Sequence, residues 1–142
     1  MDVSEVRRRL RGAIERAREQ AAARRARSDA ASREYATFLA ERAVPVVRTL
    51  ANALTAEGHH FRVDTPADSV RLTSEQSQTD YIELVLDAEA DPPHVLGRSS
   101  RGRGRRSVTA ERPLRRGVAV SDLTDEDVLA FLLEEILPFV ER

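Results

Sequence analysis

Hydrophobic and polar positions alternate in three different ways along the chain. In the first stretch Val3, Val6, Leu10, Ile14, Ala17 and Ala21 recur in steps of three and four, which is helical spacing with one narrow apolar stripe. Asp2 or Ser4 stands where a side-chain oxygen can accept an orphan amide and start that helix. Alanine and arginine, both good helix formers, fill most intervening positions. The stripe lapses at Arg24, Arg25 and Ser28, so Ser28-Asp29 is an expected break or new cap. It resumes with Tyr35, Phe38, Leu39, Val46, Leu50 and Leu54. Pro45 lacks an N–H and crowds the carbonyl four residues back, so a kink or a restart is expected there. Gly58 suits a helix stop. Residues 1–57 therefore read as a helical arm in two or three pieces, and residues 58–142 as a folded unit.

After Gly58 the period becomes two. Phe61 and Val63 alternate with Arg62 and Asp64, and Val70 and Leu72 with Arg71 and Thr73. Thr65-Pro66-Ala67-Asp68 between them has proline at the second position of a type I turn. Ser74–Thr79 is wholly polar and reads as a loop. In the strand Asp80–Asp87, Ile82, Leu84 and Leu86 face one way and Tyr81, Glu83 and Val85 the other. Asp91-Pro92-Pro93 cannot continue a ladder. Val95-Leu96 and Val108–Ala110 then flank an arginine- and glycine-rich tip, Arg98–Arg106. Short links without crossover helices predict four or five antiparallel strands in meander order.

The third regime is helical again. Thr124 and Asp127 form a candidate capping box, with Leu123 and Val128 as a hydrophobic staple. Asp125, Glu126 and Asp127 suit the positive end of the helix dipole. This acidic run lacks the glycine and terminal glutamate of a calcium loop, so it reads as capping rather than as a metal site. Val128, Leu129, Leu132, Leu133, Ile136 and Leu137 give a wide apolar stripe, which Pro138 should stop or bend. The expected fold class is α+β: a long N-terminal helical arm, a four- or five-stranded antiparallel β-meander, and a C-terminal helix packed on one sheet face.

Composition changes this picture mainly by exclusion. Leu, Ile, Val and Phe make 35 of 142 residues, above the roughly 20% below which disorder is expected. With no cysteine, disulfides, thiolate metal sites and cysteine nucleophiles are ruled out, which fits a cytoplasmic chain. The first residues are charged, without a signal-peptide core, and no run has transmembrane length. No membrane partner is expected. Aromatics are few and tryptophan is absent, which disfavours base-stacking platforms. All 23 basic residues are arginine. Arginine makes bidentate phosphate contacts, but the accompanying alanine richness equally marks a GC-rich bacterial genome.

Charge is strongly segregated although the net value is −1. Residues 7–27 carry +7, 57–91 carry −7, 98–116 carry +7 and 121–142 carry −6. Such blocks steer partners, or neutralise one another inside the molecule. The arginines Arg98, Arg101, Arg103, Arg105 and Arg106, set among glycine and serine, form a candidate contact for nucleic acid or an acidic partner. The other reading is a soluble hairpin that protects a sheet edge. Arg7, Arg8, Arg9, Arg11, Arg24 and Arg25 of the arm are further candidates for the same contact. For a protein interface the candidates are Leu10, Ile14, Tyr35, Phe38 and Leu39, on an arm that reads as a coiled-coil or helical-hairpin element. The alternative is an arm that merely lies across its own sheet.

No chemistry of catalysis emerges. There is no nucleophile elbow, no HExxH and no phosphate-binding loop, since no lysine exists to complete one. His59 and His60 at the helix-to-strand junction, and His94, are the histidines available. No cofactor or metal is expected. The inferred order of a long helix, antiparallel strands and a terminal helix resembles that of the small YbaB-type nucleoid-associated proteins, without a shared motif. That resemblance implies a dimer. The expectation is a non-enzymatic interaction or adaptor module that self-associates as a homodimer or joins a protein assembly. A nucleic-acid-binding protein is the alternative.

Overall fold

A computed structural model describes residues 1–141 and shows the expected α+β arrangement. Helix α1 spans Val3–Phe38 and α2 spans Val44–Ala56, joined by one π turn at Leu39–Ala43. Strands β1 (Phe61–Asp64), β2 (Val70–Ser74), β3 (Tyr81–Asp87), β4 (His94–Arg103) and β5 (Arg106–Pro113) follow, then helix α3 (Asp125–Val140). The sheet is an antiparallel meander in the order β1-β2-β3-β4-β5. Arg142, counted above in the acidic C-terminal block, lies outside the described residues. Among the described residues no helix is long and apolar enough to cross a membrane.

The arm departs from the sequence reading at Ser28-Asp29 and follows it at Pro45, where a new helix starts. Asp2 is the cap, its carboxylate accepting from Glu5 N–H at 2.8 Å, and α1 then runs unbroken through Ser28-Asp29. Neither residue needs to break a helix whose neighbours favour it, because a polar side chain facing solvent costs little there. Pro45 sits in the first turn of α2. The wider π turn before it, closed by Val44 N–H to Leu39 C=O, accommodates the missing donor and the ring clash. The chain therefore continues as helix to Ala56, where Gly58 (φ 88°) ends it as expected.

Helices α2 and α3 pack side by side on one sheet face, α2 over β1 and β2, α3 over β3 and β4. The core between them holds Val47, Leu50 and Leu54 of α2, Val70, Leu72, Ile82, Leu84 and Val95 of the sheet, and Val128, Phe131, Leu132 and Ile136 of α3. Phe131, absent from the predicted stripe, is buried, whereas Leu133 and Leu137 are about half exposed (49% and 52%). The capping box of Thr124 and Asp127 forms as read. Pro138 does not stop α3, which runs on to Val140, because only the last turn loses a bond there. Phe139 still packs as expected, edge-on to Phe61 with centroids 6.4 Å apart.

Among the described residues the opposite sheet face carries no helix. Across it Arg71, Glu83, Arg98 and Glu111 stand directly opposite one another on β2, β3, β4 and β5. Arg71 and Arg98 both turn to Glu83, at 2.8 and 3.9 Å, and Arg98 also meets Glu111 at 2.7 Å. Opposite charges on directly paired positions stabilise a sheet and fix its register. The Glu83 carboxylate can be 7% exposed only because these arginines and Ser69 surround it.

Two local readings shift. The β1–β2 turn closes from Pro66 C=O to Ser69 N–H at 3.1 Å, one residue later than the proline placement suggested. The supposed tip Arg98–Arg106 is mostly strand, and only Gly104-Arg105 remains as a two-residue loop between the paired Arg103 and Arg106. Arginine, serine and glycine have weak strand preference, but β4 pairs on both sides, and its ladder bonds override propensity. Asp80 adds an anchor by accepting from Gly102 N–H at 2.7 Å.

A candidate binding arm and its root

The last turns of α1 are docked on the domain by Ala31, Tyr35 and Phe38. Tyr35 donates its hydroxyl to the carbonyls of Asp68 (2.7 Å) and Leu84 (3.3 Å). Asp68 presents that carbonyl from a left-handed backbone conformation, φ 57°. Burial, then the charges of Asp68 and Glu83, push the Tyr35 phenol above its ordinary value of 10.0. Tyr35 and Phe38, expected at an interface, are thus each 3% exposed and belong to the protein's own core. Leu39 is half-buried against that core. Aromatic side chains next to a sheet end find their own domain first, and spacing alone could not tell that surface from a partner's.

Upstream the helix leaves the domain. From Val3 to about Arg27 nearly every residue is exposed, and this segment reaches roughly 35 Å at helical rise. Val3, Val6, Leu10 and Ile14 are 75%, 46%, 57% and 41% exposed. At 100° per residue their stripe lies within roughly 60° of the face by which Ala31, Tyr35 and Phe38 dock. One apolar face thus starts on a free helix and ends in the core. Arg7, Arg11, Arg18 and Arg25 border that stripe on one side, and Arg9, Arg16 and Arg27 lie further round on the other. Glu15 and Glu19 fall on the far side of the helix.

The arm's charge is not neutralised by the domain. Of the arginines in residues 7–27, only Arg9 (to Glu5, 3.0 Å) and Arg27 (to Asp91, 3.9 Å) meet a carboxylate among the described residues. Arg7, Arg8, Arg11, Arg24 and Arg25 are exposed. In the second basic segment Arg98, Arg112 and Arg115 are paired, the latter two with carboxylates of α3. Arg101, Arg103, Arg105 and Arg106 have no ion pair among the described residues. Arg98 therefore separates from its expected group as a mid-strand ion-pair residue. The hairpin end and the arm also stand apart. Arg27 meets Asp91 just before β4 begins, and Arg103 ends β4, ten residues or roughly 33 Å away at strand rise.

Three hollows surround the arm's root. The largest, about 950 Å³, lies between the α1–α2 junction and the β1–β2 turn, with Leu39, Val44, Val85 and Leu86 as apolar walls. Asp68, Glu83 and Arg98 are its charged lining residues. A second, about 700 Å³, is walled by Pro92, Pro93, Pro113 and Val118 and holds His94 beside Glu34 and Asp91. Its lining has no hydroxyl or thiol side chain, and His94 Nδ1 lies 3.2 Å from the Pro92 carbonyl. The third, about 290 Å³, is lined by Arg24, Arg25 and Arg27 with Glu89 and Asp91. No group of His, Asp and Glu among the described residues is placed to hold a metal ion.

Comparison with known proteins adds no relative. No protein-family model matches the chain, and neither a curated protein nor a solved structure matches it.

Proposed function

We propose that the protein is a non-enzymatic interaction module that assembles, with itself or with another protein, through its helical arm. The exposed stripe Val3, Val6, Leu10 and Ile14 on a projecting helix supports this reading. A lone helix gains most of its stability from docking an apolar face, and this face has nothing beneath it in the single chain. Completing the burial of four half-exposed aliphatic side chains contributes about 5 kcal/mol at most. Association costs about 4–15 kcal/mol. Over most of that range the stripe alone is insufficient and the bordering arginines contribute, so the partner surface is apolar with acidic margins.

The test is the double variant Leu10→Asp/Ile14→Asp in the full chain. Sedimentation velocity and affinity capture from the native extract are run beside the wild type. Loss of self-association or of captured partners is the expected result. Unchanged behaviour in both would show that the arm is not the binding element.

The nucleic-acid reading stands second. It is favoured by the four arginines at the hairpin end, Arg101, Arg103, Arg105 and Arg106, that lack a carboxylate partner among the described residues. It is weakened by the distance between that end and the arm's root, where Arg27 meets Asp91. Fluorescence anisotropy with duplex DNA and single-stranded RNA at several salt concentrations decides it. Phosphate contact predicts a steep salt slope that shrinks when these four arginines become alanine. No binding at low salt would remove this reading.

A further inference from the structure

We propose that the arm's partner is a second copy of this chain. In this arrangement the two arms run antiparallel about a two-fold axis. Each N-terminal stripe seats in the acidic groove at the root of the other arm. This rests on the reading of the arm as the binding element, and adds the occupant, the orientation and the seat.

Charge order along the helix selects the orientation. Residues 7–27 carry +7, whereas residues 28–44 hold Asp29, Glu34 and Glu41 against Arg33 and Arg42. Two parallel arms would set Arg7–Arg11 of one copy against Arg7–Arg11 of the other. Antiparallel arms set that cluster beside the partner's root, where Asp68, Glu83 and Glu89 also lie. Like charges in register cost about as much as opposite charges stabilise, so the difference counts twice.

Helix geometry agrees with this choice. If Leu10 of one copy meets Ala36 of the other, the axis crosses near residue 23. Of the residues there, Ala21 shares the stripe face, a small side chain that permits close approach, with Arg24 and Arg25 flanking it. Residues 10 and 36 are about 39 Å apart along one helix, so each arm is long enough to reach the other's root.

The seat is chosen by its lining. Of the three hollows at the root, only the 950 Å³ groove has more acid than base, Asp68 and Glu83 against Arg98. The other two carry three arginines against two acids each. Within the chosen groove, Glu83 uses Oε2 for Arg71 at 2.8 Å, while Oε1 has Arg98 only at 3.9 Å. Glu83 is thus held within its own chain, and the exposed Asp68, with no ion pair among the described residues, is the carboxylate left for an arginine bordering the incoming stripe. Leu39, Val44, Val85 and Leu86 supply the apolar wall. An isologous pair uses both arms and both grooves, so association closes at two.

The absence of native cysteine makes the test direct. Leu10→Cys and Ala36→Cys chains are made singly, given different tags, mixed and mildly oxidised. Each chain then carries a single thiol, so any disulfide joins two chains. The expected result is a cross-linked heterodimer from the mixture and little cross-linking of Leu10→Cys alone. Sedimentation of the wild type should give twice the 15.9 kDa chain mass at low salt and a monomer as salt rises. Asp68→Asn should weaken the dimer at least threefold, and Leu10→Asp at least tenfold. A dimer in which Leu10→Cys bonds to itself would overturn the antiparallel seat while leaving the arm as the binding element. A chain still monomeric at about 100 µM and low salt, a concentration at which even a weak pair with a Kd in that range is half assembled, would overturn the second copy as partner. Co-sedimentation of that monomer with anionic vesicles would overturn it in favour of a lipid surface. The capture experiment with Leu10→Asp/Ile14→Asp then judges the broader reading separately.

Discussion

Replacing Gly97 with alanine probes the contact that holds α3 on the sheet. Gly97 lies on the helix-facing side of β4, opposite Leu84 on β3 and Arg112 on β5. A β-carbon there would sit 1.9 Å from Phe131 Cζ and 2.5 Å from both Cε atoms. Ordinary contact begins at 3.4 Å, so the ring must retreat by about 1.5 Å. It has little room, being 3% exposed and covered by the Arg112 guanidinium at 4.5 Å. Overpacking of this kind costs about 3 kcal/mol, the upper part of the usual range. Reduced freedom of the unfolded chain offsets about 0.5–1 kcal/mol of that. The net expectation is about 2 kcal/mol, a large share of the 5–15 kcal/mol typical of a domain. Without tryptophan, urea unfolding is best followed by circular dichroism at the helix band. The variant Phe131→Leu removes the obstructing ring tip. The double variant should therefore cost at least about 1 kcal/mol less than the two single losses summed. A neutral Gly97→Ala, or a cycle additive within about 0.5 kcal/mol, would refute the packing account.

Three further outcomes are expected. Tyr35→Phe should cost about 1 kcal/mol, since it deletes the hydroxyl bound to the Asp68 and Leu84 carbonyls. Because the folded phenol holds its proton above the ordinary value of 10.0, wild-type stability should fall as pH rises past that value; Tyr35→Phe should show a flatter alkaline limb in urea midpoints. Desolvation raises the Asp127 pKa, but hydrogen bonds from Thr124 and the charge of Arg115 outweigh it and hold the carboxyl below 3.8. Its stabilising effect is present above that value and lost as pH falls through the lower folded one, so Asp127→Asn should cost about 1 kcal/mol at pH 7 and progressively less as pH falls below 3.8. Alanine at Arg101, Arg103, Arg105 and Arg106 together should leave the urea midpoint within about 0.5 kcal/mol of the wild type, since these residues make no ion pair among the described residues.

The candidate site was only half legible in the sequence. Leu10 and Ile14 stand on the apolar stripe that their spacing drew, and they are exposed in the single chain. Tyr35 and Phe38 show the same spacing and met the opposite fate. Whether an apolar stripe is core or interface depends on what lies across from it, and spacing carries no information about that. The arginines divide for the same reason. Arg98 and Arg112 look like members of one basic run, yet their registers put them beside Glu111 and Glu134. The tip residues look identical in sequence and meet no carboxylate among the described residues. The grooves at the arm's root escaped the sequence reading altogether, since their walls come from α1, α2 and three strands.

By itself the sequence determined the local features whose causes lie within a few residues: the helical period of the arm, the alternation of the strands, the capping box at Thr124 and the stop at Gly58. It also determined the segregation of charge, which needs no fold to exist. Tertiary structure decided what the long-range neighbours control. It carried the helix through Ser28-Asp29, drew Arg98–Arg103 into a strand, and assigned Phe131 rather than Leu133 to the core. In each case the local preference is worth a fraction of a kcal/mol to a few, and ladder bonds or burial contributed by distant residues exceed it.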